Sequence, residues 1–279
     1  MKERAELVRL TVLAIFALAL APCAARAARA ADRCGDLAHA VDELKEGDAF
    51  QATALLFSSA RLGCEKEARA LLGRGAAVDA RDREGATALA RAAQAGKIKL
   101  VTLFIDRKAN INARAINGST PLFYAAEADR PEAVRVLIEH GGDPNIPGRS
   151  ELRPLAAAAF NGSADSVELM LRHGADANAL DDDGKGAMVY AAGRAYAPIV
   201  ELLIHAGVDV NRRYGHGLTA LMWAAGHDAS AGIEDVEATL KTLLDHGARR
   251  DLKGDRGKTA GEIARDLGRE REAKMLEAP

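Results

Sequence analysis

Aromatic side chains are scarce: Phe, Trp and Tyr make up 4% of 279 residues, with one tryptophan among them. An interior without rings has to be assembled from small and aliphatic groups, as in closely packed alanine-rich helices. A basic excess is also missing. Lys and Arg number 38 against 40 Asp and Glu, and beyond residue 30 the count is 33 against 38, a net of −5. A body that acidic lacks the positive footprint that general nucleic-acid binding requires. Of the three cysteines, Cys23, Cys34 and Cys64, none stands in Cys-x-x-Cys spacing, which excludes a redox pair of that type. No Gly-x-Ser-x-Gly occurs, and Ser58-Ser59 falls inside a helical segment with no partner base. Gly184-Lys185-Gly186 has neither the spacing nor the preceding strand of a phosphate loop. Asp181-Asp182-Asp183-Gly184 lacks the alternating ligands and closing glutamate of a calcium loop and reads as a solvated acidic turn. No catalytic residue, metal site or cofactor can therefore be named, and the expectation is a chain that is not an enzyme.

Long apolar runs are absent too. The uncharged stretch between Arg9 and Arg26 is 16 residues, short of the roughly 20 that a spanning helix needs. Lys2, Arg4 and Arg9, then an apolar run from Leu10 to Ala21, then Ala25-Arg26-Ala27, follow the layout of a secretory signal peptide. Residues 1–31 are read as that leader, cut after a position within 27–31. An uncleaved anchor is the alternative. Leu20-Ala21-Pro22-Cys23 also approaches a lipoprotein signal, except that Pro22 stands where a small residue is wanted, which leaves a lipid-anchored envelope scaffold open. Export would place Cys34 and Cys64 in an oxidising compartment as an even pair. A bridge there closes a loop of about 30 residues. The alternative is two unrelated thiols.

The informative stretch runs from Asn117 to Asn145. Thr120 and Pro121 suit a helix start, and Leu122, Ala125 and Ala126 make one flat apolar face. Asp129 and Pro131 restart a second helix with Val134, Leu137 and Ile138, and Gly141-Gly142 ends it. The leucine position recurs as Leu56, Leu89, Leu122, Leu155, Met188 and Leu221, each 33 residues after the last. The glycine position recurs as Gly75, Gly141, Gly174 and Gly207, with Lys108 replacing it once, and returns as Gly247 after a 40-residue step. A fixed period of two helices and a turn means a stacked array, since one hairpin cannot bury both of its faces.

Thr120-Pro121-Leu122 with Ala125-Ala126, and His173-Gly174-Ala175-Asp176-Ala177-Asn178, closely resemble the ankyrin repeat. The resemblance runs from about Gly47 to the C-terminus. Ala54, Arg153 and Gly186 depart from its threonine, and Phe57, Ala90, Phe123, Ala156, Val189 and Met222 replace its histidine. The fold expected is all-α, an ankyrin-type repeat solenoid of helix-turn-helix units joined by β-turn fingers. Residues 32–46, carrying Leu37, Val41 and Leu44, are read as an N-terminal capping helix. Six repeats follow at 47–79, 80–112, 113–145, 146–178, 179–211 and 212–251. Residues 252–279 form a charged C-terminal cap whose large apolar groups are Ile263, Leu267, Met275 and Leu276. Seven extra residues between Gly226 and Val236 read equally as a partner-touching loop or as neutral lengthening.

His140, His173, His205 and His246 recur at the end of the second helix, where an imidazole meets free carbonyls and the negative helix end. Helix spacing of about 8–10 Å argues that such rings do not share an ion. His216 and His227 lack a third ligand.

What remains is surface. The resemblance implies a partner protein bound on the concave side, by turn tips and outward positions of the first helices. The matching residues are Arg81, Arg83, Arg114, Asn117, Arg149, Phe160, Asn161, Arg194, Arg213, His216 and His227, beside Gln94, Glu127, Asp182, Asp183, Asp255 and Arg256. Formal charge over the turns 81–84, 114–118, 147–152, 180–185, 212–218 and 252–258 is 0, +1, 0, −2, +2 and +2. The turn edge leans basic against an acidic remainder, which suits a partner with an acidic surface. The plainer reading is that charged tips keep the array soluble. Tyr124, Tyr190 and Trp223 share one helical position and read as inter-repeat packing before a binding stripe. Phe160 is the better anchor because its position faces out. The expected role is non-enzymatic protein recognition by a periplasmic or secreted monomer with no membrane segment after leader cleavage.

Overall fold

In the computed structural model, which describes residues 33–45, 47–226 and 231–277, helices open where threonine precedes a run of small residues. The Thr120 hydroxyl accepts the Phe123 amide at 3.2 Å, with Pro121 in the first turn of α6 (Pro121–Glu127). Thr87, Thr219 and Thr259 do the same for α4 (Ala88–Gln94), α12 (Ala220–Ala225) and α14 (Ala260–Asp266). Each such cap contributes about 1 kcal/mol. Where Arg153 and Gly186 replace threonine, α8 (Pro154–Asn161) and α10 (Ala187–Gly193) begin without a side-chain cap. The second helices are α5 (Ile98–Asp106), α7 (Pro131–Glu139), α9 (Ala164–Arg172), α11 (Ala197–His205), α13 (Ile233–Asp245) and α15 (Glu270–Glu277). No strand occurs among the described residues, and no described helix is long and apolar enough to cross a membrane. The leader assigned to residues 1–31 lies outside the described residues.

The described chain divides into two units, one ending at Ala77 and one beginning at Val78. In the second unit the first helices α4, α6, α8, α10, α12 and α14 pack side by side, and so do the second helices α5, α7, α9, α11 and α13. Small groups make the first row: Ala92, Ala125, Ala158, Ala191 and Ala224 are fully buried. Larger side chains fill the second row, with Phe104, Leu137, Met170, Leu203 and Leu243 at one recurring position, again fully buried. The second helices α5 to α13 each close through a left-handed residue, and Lys108, at φ 63°, takes that conformation where the other repeats have glycine. Asparagines tie three of the repeats in this unit to the next. Asn112 donates to Gly141 O at 3.1 Å and accepts the Asp143 amide at 2.9 Å, and Asn145 does the same with Gly174 and Asp176. Asn211 repeats the link to Gly247 and Arg249 across the longer step.

The first unit contains α1 (33–42), α2 (Ala49–Leu62) and α3 (Glu65–Gly73). The first helix of its repeat, α2, differs from the expectation of a standard repeat. Asp48 caps it through the Gln51 amide, Ala54 lies in its interior, and it runs 14 residues against 6 to 8 for the first helices of later repeats. Cys34 sits within α1 and is bonded to Cys64, the residue preceding α3, with S–S 2.01 Å and Cα–Cα 5.6 Å. Arg74 adds hydrogen bonds to Val41 O at 2.6 Å and Leu44 O at 3.2 Å, and Leu37, Val41 and Leu44 are buried as expected.

The insertion and the C-terminal cap differ from the regular repeats. The lengthened sixth repeat is not all loop: α13 runs 13 residues from Ile233, where the other complete second helices from α5 to α11 run 9. In the terminal unit Leu276 is buried, but Leu267 is 54% exposed.

Reducing the Cys34–Cys64 bridge, or replacing both residues by serine, is expected to cost the unit up to Ala77 about 3–4 kcal/mol by the chain-entropy estimate. Hydrogen exchange followed by mass spectrometry should show faster exchange in α1 and α2 under reductant, with α6 to α11 unchanged.

Candidate interaction surface

Between one repeat and the next the chain makes a turn whose hydrogen bonds recur with the period. Asp82, Ala115, Asp181, Tyr214 and Gly254 each bond through their amide to the carbonyl four residues on, and their own carbonyl accepts from the amide three residues on. The residue donating that amide is left-handed and is glycine at 85, 118, 184, 217 and 257. In the 147–152 turn Ser150 and Glu151 occupy left-handed conformations instead, at φ 53° and 55°. Adjacent tips are joined by backbone bonds: Ile116 N to Glu84 O (3.0 Å), Asp182 N to Ser150 O (3.1 Å), Gly215 N to Gly184 O (3.0 Å) and Asp255 N to His216 O (3.2 Å).

Those bonds decide which predicted contact residues are available. Arg81 donates to Gly85 O at 3.0 Å and also to Arg114 O in the next turn. Arg213, at the same turn position, donates to Gly217 O at 3.2 Å and Lys253 O at 2.7 Å. Arg114 donates to Gly118 O at 3.2 Å. These arginines clasp the turns as well as facing solvent. Asn117 accepts the Ser119 amide at 3.0 Å. Asn161 donates to Ala126 O and Glu127 O, both at 3.0 Å, satisfying carbonyls at the end of α6. Arg83 and His216 are exposed, and His216 holds a left-handed φ of 62°. His227 lies outside the described residues.

The middle of this side is different. Phe160 is 44% exposed; its ring meets Tyr190 edge to face at 5.8 Å, and the Arg194 guanidinium stacks over it at 4.5 Å. Arg149 extends from its turn to Glu127, 2.5 Å away, with most of the arginine side chain in solvent. Of the aromatic stripe, Tyr124 is buried, whereas Tyr190 and Trp223 are half-buried, with the Lys185 ammonium 5.7 Å from the Trp223 ring.

Two ties between turn and helix were not anticipated. Arg91, with 7% of its side chain exposed, pairs with Asp82 at 2.7 Å and Glu84 at 2.5 Å and lies 5.6 Å over the Tyr124 ring. Asp181 takes the same turn position as Asp82 and accepts the Tyr190 hydroxyl. Both ties join residues nine apart, and a turn acid spaced that far from a polar group on the first helix is the signal that could have found them. Burial pushes the Asp82 carboxyl up, but hydrogen bonds from Arg91, Ala86 and Glu84 and the arginine charge outweigh it and hold the pKa below 3.8. Burial, then the hydrogen bond and charge of Asp181, pushes the Tyr190 phenol well above its ordinary range. Burial is the main cause that carries Tyr214 to about 12.

The histidines cap second helices as expected: ring nitrogens of His140, His173 and His246 lie 2.7, 2.9 and 2.9 Å from carbonyls one turn back. The rings of His205 and His246 also meet edge to face, with centroids 5.9 Å apart.

Glu151→Gly should raise stability by about 1 kcal/mol, because an L side chain in that conformation costs about 1–2 kcal/mol, and urea melts would read the gain. Removing the Arg91 side chain leaves Asp82 half-buried and unpaired, at a cost of about 3 kcal/mol in the same measurement. A carboxyl depressed by folding stabilises above its unfolded pKa, so the contribution of Asp82 is full above 3.8 and fades as pH falls below it. Asp82→Asn should flatten that acid limb of a pH–stability curve.

A family model described as Ankyrin repeats (3 copies) matches residues 27–115, 55–148, 122–214 and 155–254. Among solved structures, the crystal structure of the human ASB11 ankyrin repeat domain is similar at a TM-score of 0.69, covering 80% of this chain and 98% of that one at 22% identity. That likeness concerns the fold. No curated protein matches the chain. The family matches together run from residue 27 to residue 254, through the turns and helix pairs just described, and the chain belongs to the ankyrin repeat family.

Proposed function

We propose that this chain binds another protein through the side that carries the turns and first helices of the unit from Val78 on, and performs no chemistry there. Ankyrin repeats are generally protein–protein interaction modules. The observation that carries the reading is the Phe160–Arg194–Tyr190 cluster. In the unit from Val78 on, where rings are few, Phe160 is 44% exposed beneath a stacked guanidinium, at a position that folding does not require to be large. Aromatic and arginine side chains are the groups that most often anchor interfaces. Turns already joined tip to tip lose little entropy when a partner arrives. Arg83, Arg149, Phe160 and Arg194 are the proposed contacts, and the partner's acidic groups meet the arginines. Arg81, Arg114, Arg213, Asn117 and Asn161 hold the surface in shape.

The same reading places the protein in the periplasm or outside the cell. Two features support this: the basic, apolar and small-x-small order of residues 1–31, and the Cys34–Cys64 bridge, a bond that persists in oxidising compartments. In capture from a periplasmic extract, Phe160→Ala with Arg149→Ala should retain about a tenth or less of the partner, with an unchanged circular dichroism spectrum. Undiminished capture by that double variant would move the site away from this cluster.

A further inference from the structure

The last two turns and α14 enclose a groove of about 350 Å³, with Leu218, Ile263 and Leu267 among its walls and His216, Arg256 and Lys258 beside them. Its size falls within the range of about 300–1,000 Å³ typical of pockets that hold a ligand group. Ile263 stands at the helical position of Tyr124, Tyr190 and Trp223, and Leu267 at that of Asn161 and Arg194. The groove is thus on the side already assigned to partner binding. Its terminal wall is unusual, because in a charged cap Leu267 has 54% of its surface in solvent. The two turns that form the groove are also the most basic, at +2 each, while the 180–185 turn carries −2. Among the described residues that line the groove Asp266 is the one acidic group, and it is paired with Lys258; Arg256 is exposed.

Apolar walls beside a cationic rim select among occupants. A bare anion would leave Leu218, Ile263 and Leu267 uncovered. A second copy meeting this face about a two-fold axis would set Arg256 and Lys258 against themselves. We infer that the groove takes an acidic peptide segment of the partner protein, with one apolar side chain against Leu267 and Ile263 and flanking carboxylates facing Arg256 and Lys258. The inference rests on the reading of this side as protein-binding and adds the partner's chemistry.

Random dodecapeptides displayed on phage and selected on the immobilised full chain provide the test, followed by anisotropy titration of the synthetic winners. Selection should enrich Leu, Met or Phe flanked by Asp and Glu. Leu267→Asp and Arg256→Glu should each weaken binding about tenfold or more, and added salt should weaken it further. Leu267 is largely exposed, so its substitution should leave the circular dichroism spectrum unchanged. Phe160→Ala with Arg149→Ala should leave binding of so short a peptide unaltered. No enrichment, winners without acidic residues, or equal affinity for both groove variants and the unaltered chain would overturn the inference. Sedimentation showing a dimer that Leu267→Asp abolishes would overturn it too, by giving the groove to a second copy. If winners depend on Phe160 and Arg149 alone, the groove is rejected while the protein-binding reading stands. If groove binding holds but the periplasmic capture ignores both sets of variants, the broader reading fails separately.

Discussion

One constraint governs the unit from Val78 on: a hairpin of two short helices has more apolar surface than it can hide by itself. First helices of about two turns are too short to persist in water, where isolated helices under about 12–15 residues are marginal. They persist because the next first helix covers them. Alanines such as Ala125 and Ala158 let the backbones approach, and Leu137, Met170 and Leu203 occupy the second row. The scarcity of aromatic residues follows from the same requirement, since a ring between first helices would force the repeats apart. The two rings of α6 are tolerated because they lie toward the turns, Tyr124 in a pocket lined by Ala86, Ala90 and Ala115 and Phe123 against Gly148.

Polar groups then set the spacing that apolar packing leaves loose. Asn112, Asn145 and Asn211 each bond to both a carbonyl and an amide of the following repeat, so neither neighbour can slide without breaking two bonds. The histidine usual in this family is absent, and these asparagines supply an inter-repeat polar connection of their own. On the turn side Arg81 and Arg213 spend donors on two successive turns. A charge used this way serves the scaffold first. The contacts proposed for a partner are therefore fewer than a roster of exposed arginines suggests: Phe160, Arg149 and Arg194, and the groove beside Leu267.

The array itself was readable without coordinates, because a period of 33 residues repeats the same helix starts, the same alanines and the same closing turn. Even Lys108 in a glycine's place could be located by counting, and the structure gives it the left-handed backbone that the count requires. The Cys34–Cys64 pairing was legible as well, because only two cysteines remain past residue 31. Interruptions of the period were less readable. The length of α2 and the helical part of the sixth-repeat insertion depend on which neighbours each segment meets in space, and no periodic pattern encodes that.

The residue pattern alone determined the fold class and the edge on which polar and basic turns gather, because both depend on periodicity along the chain. Tertiary structure decided which of those side chains are committed to the scaffold. Arg81 and Arg149 look alike in a sequence, yet one reaches carbonyls of its own and the neighbouring turn, and the other pairs with the Glu127 carboxylate while most of its side chain stays in solvent. Only distances between repeats separate the two, since a hydrogen bond across 33 residues depends on where the next turn lies and leaves no local mark.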